Sequence, residues 1–298
     1  MGTAAATIHP SASSRVRLVL GVFKLRIGVM IMITALAGLA VTPGPSLSAA
    51  QWLVLALSVL LSSASAGAFN QYYEYESDRR MARTRNRAFA SGALRPTPAW
   101  LGVIGALLAG SVVATWTVVN GVSALFVFLG AFFYAVVYTV WLKRRSWLNI
   151  VIGGLAGSFA VLAGAAAVDP SIGPLGLLLA LVLFLWTPPH FWSLAIANQK
   201  DYADAGVPML PVVVGPERAA RVVFTSTVLL VVASLLPAWF GAGPVYLAGA
   251  VVGGAFFIVK AWRLASHPSR ATAMGSFFGS LVQLGLLLLA AGIDGLIR

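Results

Sequence analysis

The 298-residue sequence predicts an all-α, polytopic membrane protein, a bundle of nine transmembrane helices with two long loops on one side. Three observations carry this. Hydrophobic residues make up 59% of the chain and charged residues 9%, more apolar surface than one globular core of this length can bury. Apolar runs of about 20 residues, enough to cross a hydrocarbon layer as a helix, follow one another almost without interruption. The basic residues then sort onto one side of the map that those runs define.

The first run, residues 18–42, carries Lys24 and Arg26 near its start and has no small-residue cleavage site, so it is expected to remain as a span. Before it, residues 1–14 are small and polar and are expected to form a disordered tail; residues 15–298 form a single membrane domain. The second run, 50–73, leads into an acidic and arginine-rich loop at 74–97. Runs 98–118 and 121–142 follow, and Lys143-Arg144-Arg145 separate them from 148–168. That fifth span opens on Asn149 and continues through Gly153, Gly154 and Gly157, small residues that let helices approach closely. In the sixth, 173–198, Pro188-Pro189 is expected to interrupt the helix beside a cavity. A second long loop, 199–219, precedes the spans 220–240, 243–262 and 273–295.

On this map 19 of the 20 Lys and Arg share a side with the amino terminus and both long loops, and Arg298 lies opposite. The positive-inside rule makes the first side cytoplasmic and sends the carboxyl terminus across the bacterial inner membrane. The net charge of +12 therefore reports topology, and no nucleic-acid partner is expected. With no cysteine, disulfides, thiolate metal sites and cysteine nucleophiles are excluded.

Chemistry concentrates at the cytoplasmic edge. Asn70, Glu74 and Asp78 recur every fourth position, within roughly 80° of one another on a helix, so their oxygens can converge. Such hard donors suit Mg²⁺, with substrate phosphates completing its shell. Arg79, Arg80, Arg83, Arg85 and Arg87 follow at once, and guanidinium groups bind phosphate oxygens in pairs. The bland alternative is a charge cluster at headgroup level; an amide in the last turn of a span, Asn70, weighs against it. Lys200, Asp201 and Asp204 in the second loop could supply another metal face. Lys24, Lys143 and Arg145 either snorkel to the headgroups or complete an anion pocket. His190, flanked by Trp186 and Trp192, is either packed core or a ligand. A transporter would keep such groups near the midplane, whereas these lie at the membrane edge.

Together these residues resemble the UbiA-type intramembrane prenyltransferases, marked by Asn-x-x-x-Asp-x-x-x-Asp after the second helix and an acidic loop after the sixth. Met81-Ala-Arg83-Thr-Arg85-Asn-Arg87, Lys143 through Gly154, Thr187-Pro-Pro-His190-Phe-Trp192 and Lys200-Asp201-Tyr202 through Pro211 resemble the branch that acts on haem. Glu74 departs from the family's Asp, and Asp204 from its second-loop spacing. The resemblance implies Mg²⁺ held by Asn70, Glu74, Asp78 and Asp201. It implies farnesyl diphosphate among Lys24, Arg79, Arg83, Arg85, Lys143, Arg145 and Lys200, with haem B as acceptor. His190, Trp186, Trp192, Tyr73 and Asn149 would line the haem or prenyl pocket, membrane lipid would surround the bundle, and a haem A synthase would be a downstream partner. An aromatic acceptor of the quinone pathway is the alternative within the family.

Overall fold

The structure, a computed structural model, describes residues 12–297, which are helical with short connections and no strand. The expected tail thus lies largely outside the described residues, and its last three positions open the first helix.

The first span is broken. Helix α1 (Ala12–Val22) and α2 (Leu25–Val41) meet at a 46° bend instead of forming one rod. Lys24 adopts the left-handed conformation at the break, with φ of 49°. Breaking a helix in the membrane strands carbonyls, and Gln71 repairs the loss by donating its amide to the carbonyls of Gly21 and Val22 at 2.9 and 3.0 Å. In the run 18–42, Lys24 and Arg26 read as charges near the start of a single span, so hydropathy alone concealed the break.

Helix α3 (Ala49–Asp78) starts in a Ser48–Gln51 capping box and runs 30 residues, beyond the expected end at 73. The whole acidic motif therefore lies on a helix, and the following loop begins at Arg79. Helix α4 (Ala99–Val118) and α5 (Gly121–Phe132) come next. The latter continues as a π-helical segment, Phe133–Leu142. The fifth span divides at Gly154 into α6 (Asn149–Gly153) and α7 (Leu155–Val168).

Helix α8 (Pro174–Ala197) passes straight through Pro188 and Pro189, so the expected interruption does not occur. Two hydroxyls bond back to the helix beside the pair: Thr187 donates to the Leu183 carbonyl and Ser193 to that of Pro189. The second long loop folds into two short helices, α9 (Gln199–Asp204) and α10 (Leu210–Val214). Helix α11 (Pro216–Leu235), α12 (Pro244–Ser266) and α13 (Arg270–Ile297) complete the chain. Asp294 of α13 accepts from the backbone N–H groups of Gly243 and Tyr246, satisfying donors at the start of α12.

Eight helices, or helical runs, are each long and apolar enough to cross a membrane, and the bent α1–α2 pair makes the ninth span among the described residues. Successive spans pack on one another, and α13 returns to α2 to close the bundle. Leu53, Trp116, Leu229 and Leu289 point outward, as residues facing lipid do. Between α2 and α7 the backbones almost touch. A Cβ on Gly38 would run into the carbonyl of Val161, and one on Gly164 into that of Ala35. Glycine is what lets these helices pack so closely.

Candidate active site

The end of the bundle that carries the long loops contains a cavity of about 460 Å³. Asn70 and Asp78 of α3, Lys24 at the α1–α2 break, Tyr134 and Tyr138 of the π-helical segment and Lys143 just after it contribute to its wall. The 3.6-residue period of α3 puts Asn70, Glu74 and Asp78 on its inner face, where they are 2%, 1% and 2% exposed.

Three polar groups of the motif are matched by three cations. Lys24 Nζ donates to Asn70 Oδ1 at 2.7 Å. Lys143 Nζ meets Glu74 Oε2 at 2.5 Å, and Arg87 Nη1 meets Asp78 Oδ2 at 2.8 Å. Asn70 Nδ2 donates to Glu74 Oε2 at 2.6 Å and to Thr139 Oγ1 at 3.1 Å, tying α3 to the π-helical segment. In that segment, Thr139 Oγ1 reaches back to the carbonyl of Tyr134. The wider π-turn brings both tyrosines to the cavity wall, their rings stacked with centroids 5.6 Å apart. Lys24 and Lys143 lie 5.9 and 5.8 Å from the Tyr134 and Tyr138 ring centroids.

The two long loops meet at the cavity. Arg83, from the first, reaches the hydroxyl of Tyr202 in α9 at 3.5 Å, and both residues line the wall. Ile150, Phe191, Leu194 and Met209 give the wall an apolar part. The arrangement suits an amphipathic ligand with an anionic head under the cations and an apolar tail among the helices.

Residues 31–282 match the UbiA prenyltransferase family. The chain belongs to that family. It is 53% identical over 286 residues to "Protoheme IX farnesyltransferase 2" of Paramagnetospirillum magneticum, covering 96% of this chain and 99% of that one. Against "Protoheme IX farnesyltransferase" of Granulibacter bethesdensis, identity is 39%, with coverage of 91% and 88%. The fold superposes on a structure described as digeranylgeranylglyceryl phosphate synthase with a TM-score of 0.79, at 18% identity and coverage of 95% and 99%. It also superposes on a UbiA homolog from Archaeoglobus fulgidus bound to DMAPP and Mg²⁺, with a TM-score of 0.71, at 16% identity and coverage of 90% and 99%. The chain is thus a multi-pass membrane enzyme, a prenyltransferase.

In this UbiA prenyltransferase the sequence-expected residues divide sharply. Asn70, Asp78, Lys24, Arg83 and Lys143 line one cavity, and Glu74 lies directly behind it. Lys200, Asp201 and Asp204 sit on α9 outside the wall, with Asp204 and Lys200 exposed. Arg79 turns away to the carbonyl of Ala90 and the ring of Tyr75; Arg85 and Arg145 are likewise outside. Tyr73 is 47% exposed and stacks on Phe69, because position 73 faces away from the inner stripe of α3.

The expected haem-pocket aromatics also sit elsewhere. His190 stacks between Trp186 and Phe277 at 4.1 and 4.6 Å, with Nδ1 2.7 Å from Ser280 Oγ. Trp186 Nε1 donates to the Ser280 carbonyl. These residues form part of the α8–α13 contact, and Phe191 and Leu194, the next residue and the next turn of α8, line the cavity instead. Trp192 packs near Trp147, and Asn149 donates to the carbonyl of Lys143 from a fully buried position. Tyr134, Tyr138, Gln71 and Arg17 also line the cavity or support it and carry no expectation from the sequence, whereas Arg87 belongs to the arginine run that does. The signal of the first four was weak: tyrosines inside an apolar run, a glutamine one step after Asn70, and an arginine among many.

The donor set fits a metal ion only in part. Among the described residues, no three acidic or histidine side chains converge to hold one alone. Asn70 and Asp78 do present oxygens to the cavity, and Mg²⁺ commonly takes one or two protein carboxylates and completes its shell with substrate phosphates and water. This donor set fits an ion only where a diphosphate supplies most of its shell.

Proposed function

We propose that this enzyme transfers the farnesyl group of farnesyl diphosphate to a vinyl group of haem B, giving haem O for the synthesis of haem A. The observation that carries this reading is near-full-length similarity to proteins named protoheme IX farnesyltransferase. The cavity supplies chemistry that such a transfer needs.

Lys24, Arg87 and Lys143 bind the diphosphate, exchanging their present partners Asn70, Asp78 and Glu74 for phosphate oxygens. Asn70 and Asp78 would hold a Mg²⁺ ion there, which would supply charge neutralisation on the departing diphosphate. Ionisation leaves an allylic cation just below the charged layer, where Tyr134 and Tyr138 present their π faces. Ile150, Phe191, Leu194 and Met209 enclose the isoprenoid and keep bulk water from the cation. Attack by the vinyl group, followed by addition of water, yields the hydroxyethylfarnesyl product.

On the sequence map 19 of the 20 basic residues share the side of the two long loops, which supports an active site at the cytoplasmic face of the inner membrane; a haem O product implies a haem A synthase as the downstream partner. The test is mass spectrometry of haem after purified enzyme is incubated with haem B, farnesyl diphosphate and Mg²⁺, with a chelator control. A Mg²⁺-dependent haem O product supports the reading. Unchanged haem from folded enzyme that binds farnesyl diphosphate points to an aromatic acceptor.

A further inference from the structure

Five basic residues line the cavity, Arg17, Lys24, Arg83, Arg87 and Lys143. Three of them engage the Asn-Glu-Asp motif, where a diphosphate would bind. The other two do not. Arg17 and Arg83 are exposed and form no ion pair among the described residues; Arg83 touches only the Tyr202 hydroxyl at 3.5 Å among its side-chain hydrogen bonds.

Position separates Arg17 from the diphosphate site. It precedes Lys24 by seven residues, about two helical turns, and shares no hydrogen bond or ion pair with Asn70, Glu74 or Asp78 among the described residues. Arg17, Leu18 and Gly21 line the cavity at helical spacing along one face of α1, and Lys24 lines it just past the helix end. Gly21 leaves this strip bare, and a Cβ built there would meet nothing within 4 Å. A flat, uncovered strip with an arginine at its outer end fits a planar ligand that is apolar over its face and anionic at one edge.

Resting on the acceptor assigned above, we propose that Arg17 and Arg83 bind the two carboxylates of the porphyrin, with its ring lying over Gly21. Haem B carries its propionates on one edge and its vinyl groups on the other side of the ring. Holding the propionates at the outer arginines therefore points a vinyl group inward, toward the carbon that leaves the diphosphate. The two arginines act as positioning residues for the acceptor, distinct from the cations that bind the donor.

The test compares haem B with its dimethyl ester, which has the same ring and no carboxylate, using the full-length enzyme in lipid nanodiscs. Arg17→Gln should raise KM for haem B about tenfold, the usual scale for one charge-assisted bond, with kcat and the Kd of farnesyl diphosphate unchanged. Turnover of the ester should be equal in the wild type and Arg17→Gln, and Arg17→Lys should recover part of the haem B affinity. Gly21→Leu should weaken both acceptors and spare farnesyl diphosphate. Equal weakening of haem B and ester by Arg17→Gln would overturn the proposal in favour of packing or a lipid headgroup site, and a weaker farnesyl diphosphate Kd would reassign Arg17 to the donor. Wild-type enzyme that farnesylates neither porphyrin would instead remove the acceptor reading on which the proposal rests.

Discussion

Lys143 Nζ lies 2.5 Å from Glu74 Oε2, so the residue that ends the π-helical segment closes on the middle member of the acidic motif two spans earlier. Glu74 is almost fully buried and also accepts from Asn70. Its extra methylene, relative to aspartate, carries the carboxylate to a lysine at the cavity wall. Glu74 thereby orients two groups that face the ligand, Asn70 and Lys143.

Breaking this pair leaves one charge buried without its partner, at a cost of about 3–5 kcal/mol. Glu74→Gln and Lys143→Met should each lower thermal stability and reduce turnover by at least about 100-fold, because each disturbs the anion site. The double variant should be no less stable than either single one, since the stranded charge is gone. Thermal unfolding and turnover of all four proteins measure the coupling. Additive losses in stability would mean that the two side chains act independently.

Asp78 sits differently, with Oδ2 on Arg87 and a place in the cavity wall. Asp78→Asn keeps the shape and removes the charge that an ion shared with the diphosphate requires. Turnover should fall by about 10²–10³-fold, and chelation of divalent ions should arrest the wild type, while haem affinity stays the same in both cases. Titration of bound farnesyl diphosphate with Mn²⁺ provides a reading independent of turnover. Unchanged Mn²⁺ affinity in Asp78→Asn would remove Asp78 from the metal site.

The membrane fold was legible because burial in lipid writes itself into long apolar runs, and the motif was legible because carboxylates at a span's end are costly without a purpose. What could not be read has a common physical cause. The α1–α2 break leaves the apolar pattern intact and is compensated by Gln71, a distant residue. Likewise, the π-helical register that turns Tyr134 and Tyr138 inward depends on backbone bonds that hydropathy does not encode. Pro188 and Pro189 misled for the converse reason, since a strong local breaking signal was overridden by the packed environment of α8. Direction was the remaining gap: sequence spacing sets His190 about 16 Å along the helix below Asp201 but does not say that it faces α13.

Close packing of α2 on α7 gives a prediction about folding. Gly164→Leu would drive a side chain into the carbonyl of Ala35, and the helices must separate to admit it. Overpacking on backbone should cost at least about 3 kcal/mol and abolish the folded fraction in detergent. Gly157→Leu, on the same helix where an added Cβ meets nothing within 4 Å, should be tolerated. Size-exclusion chromatography with thermal unfolding distinguishes the two, and equal behaviour would show that α2 and α7 are not held at glycine distance.

His190 links α8 to α13 through its ring stacks and the bond to Ser280 Oγ. Removing the ring empties a buried space and leaves the serine hydroxyl without this partner, so His190→Ala should destabilise by about 2–4 kcal/mol. Phe191 and Leu194 line the cavity, and His190 does not. Affinities for farnesyl diphosphate and haem should therefore fall together, in proportion to the folded fraction, and both should recover at lower temperature. A ligand role makes the opposite demand: haem affinity would drop alone, in protein as stable as the wild type. The ratio of the two affinities at matched folded fraction thus decides whether this histidine is a strut between helices or a contact to the porphyrin.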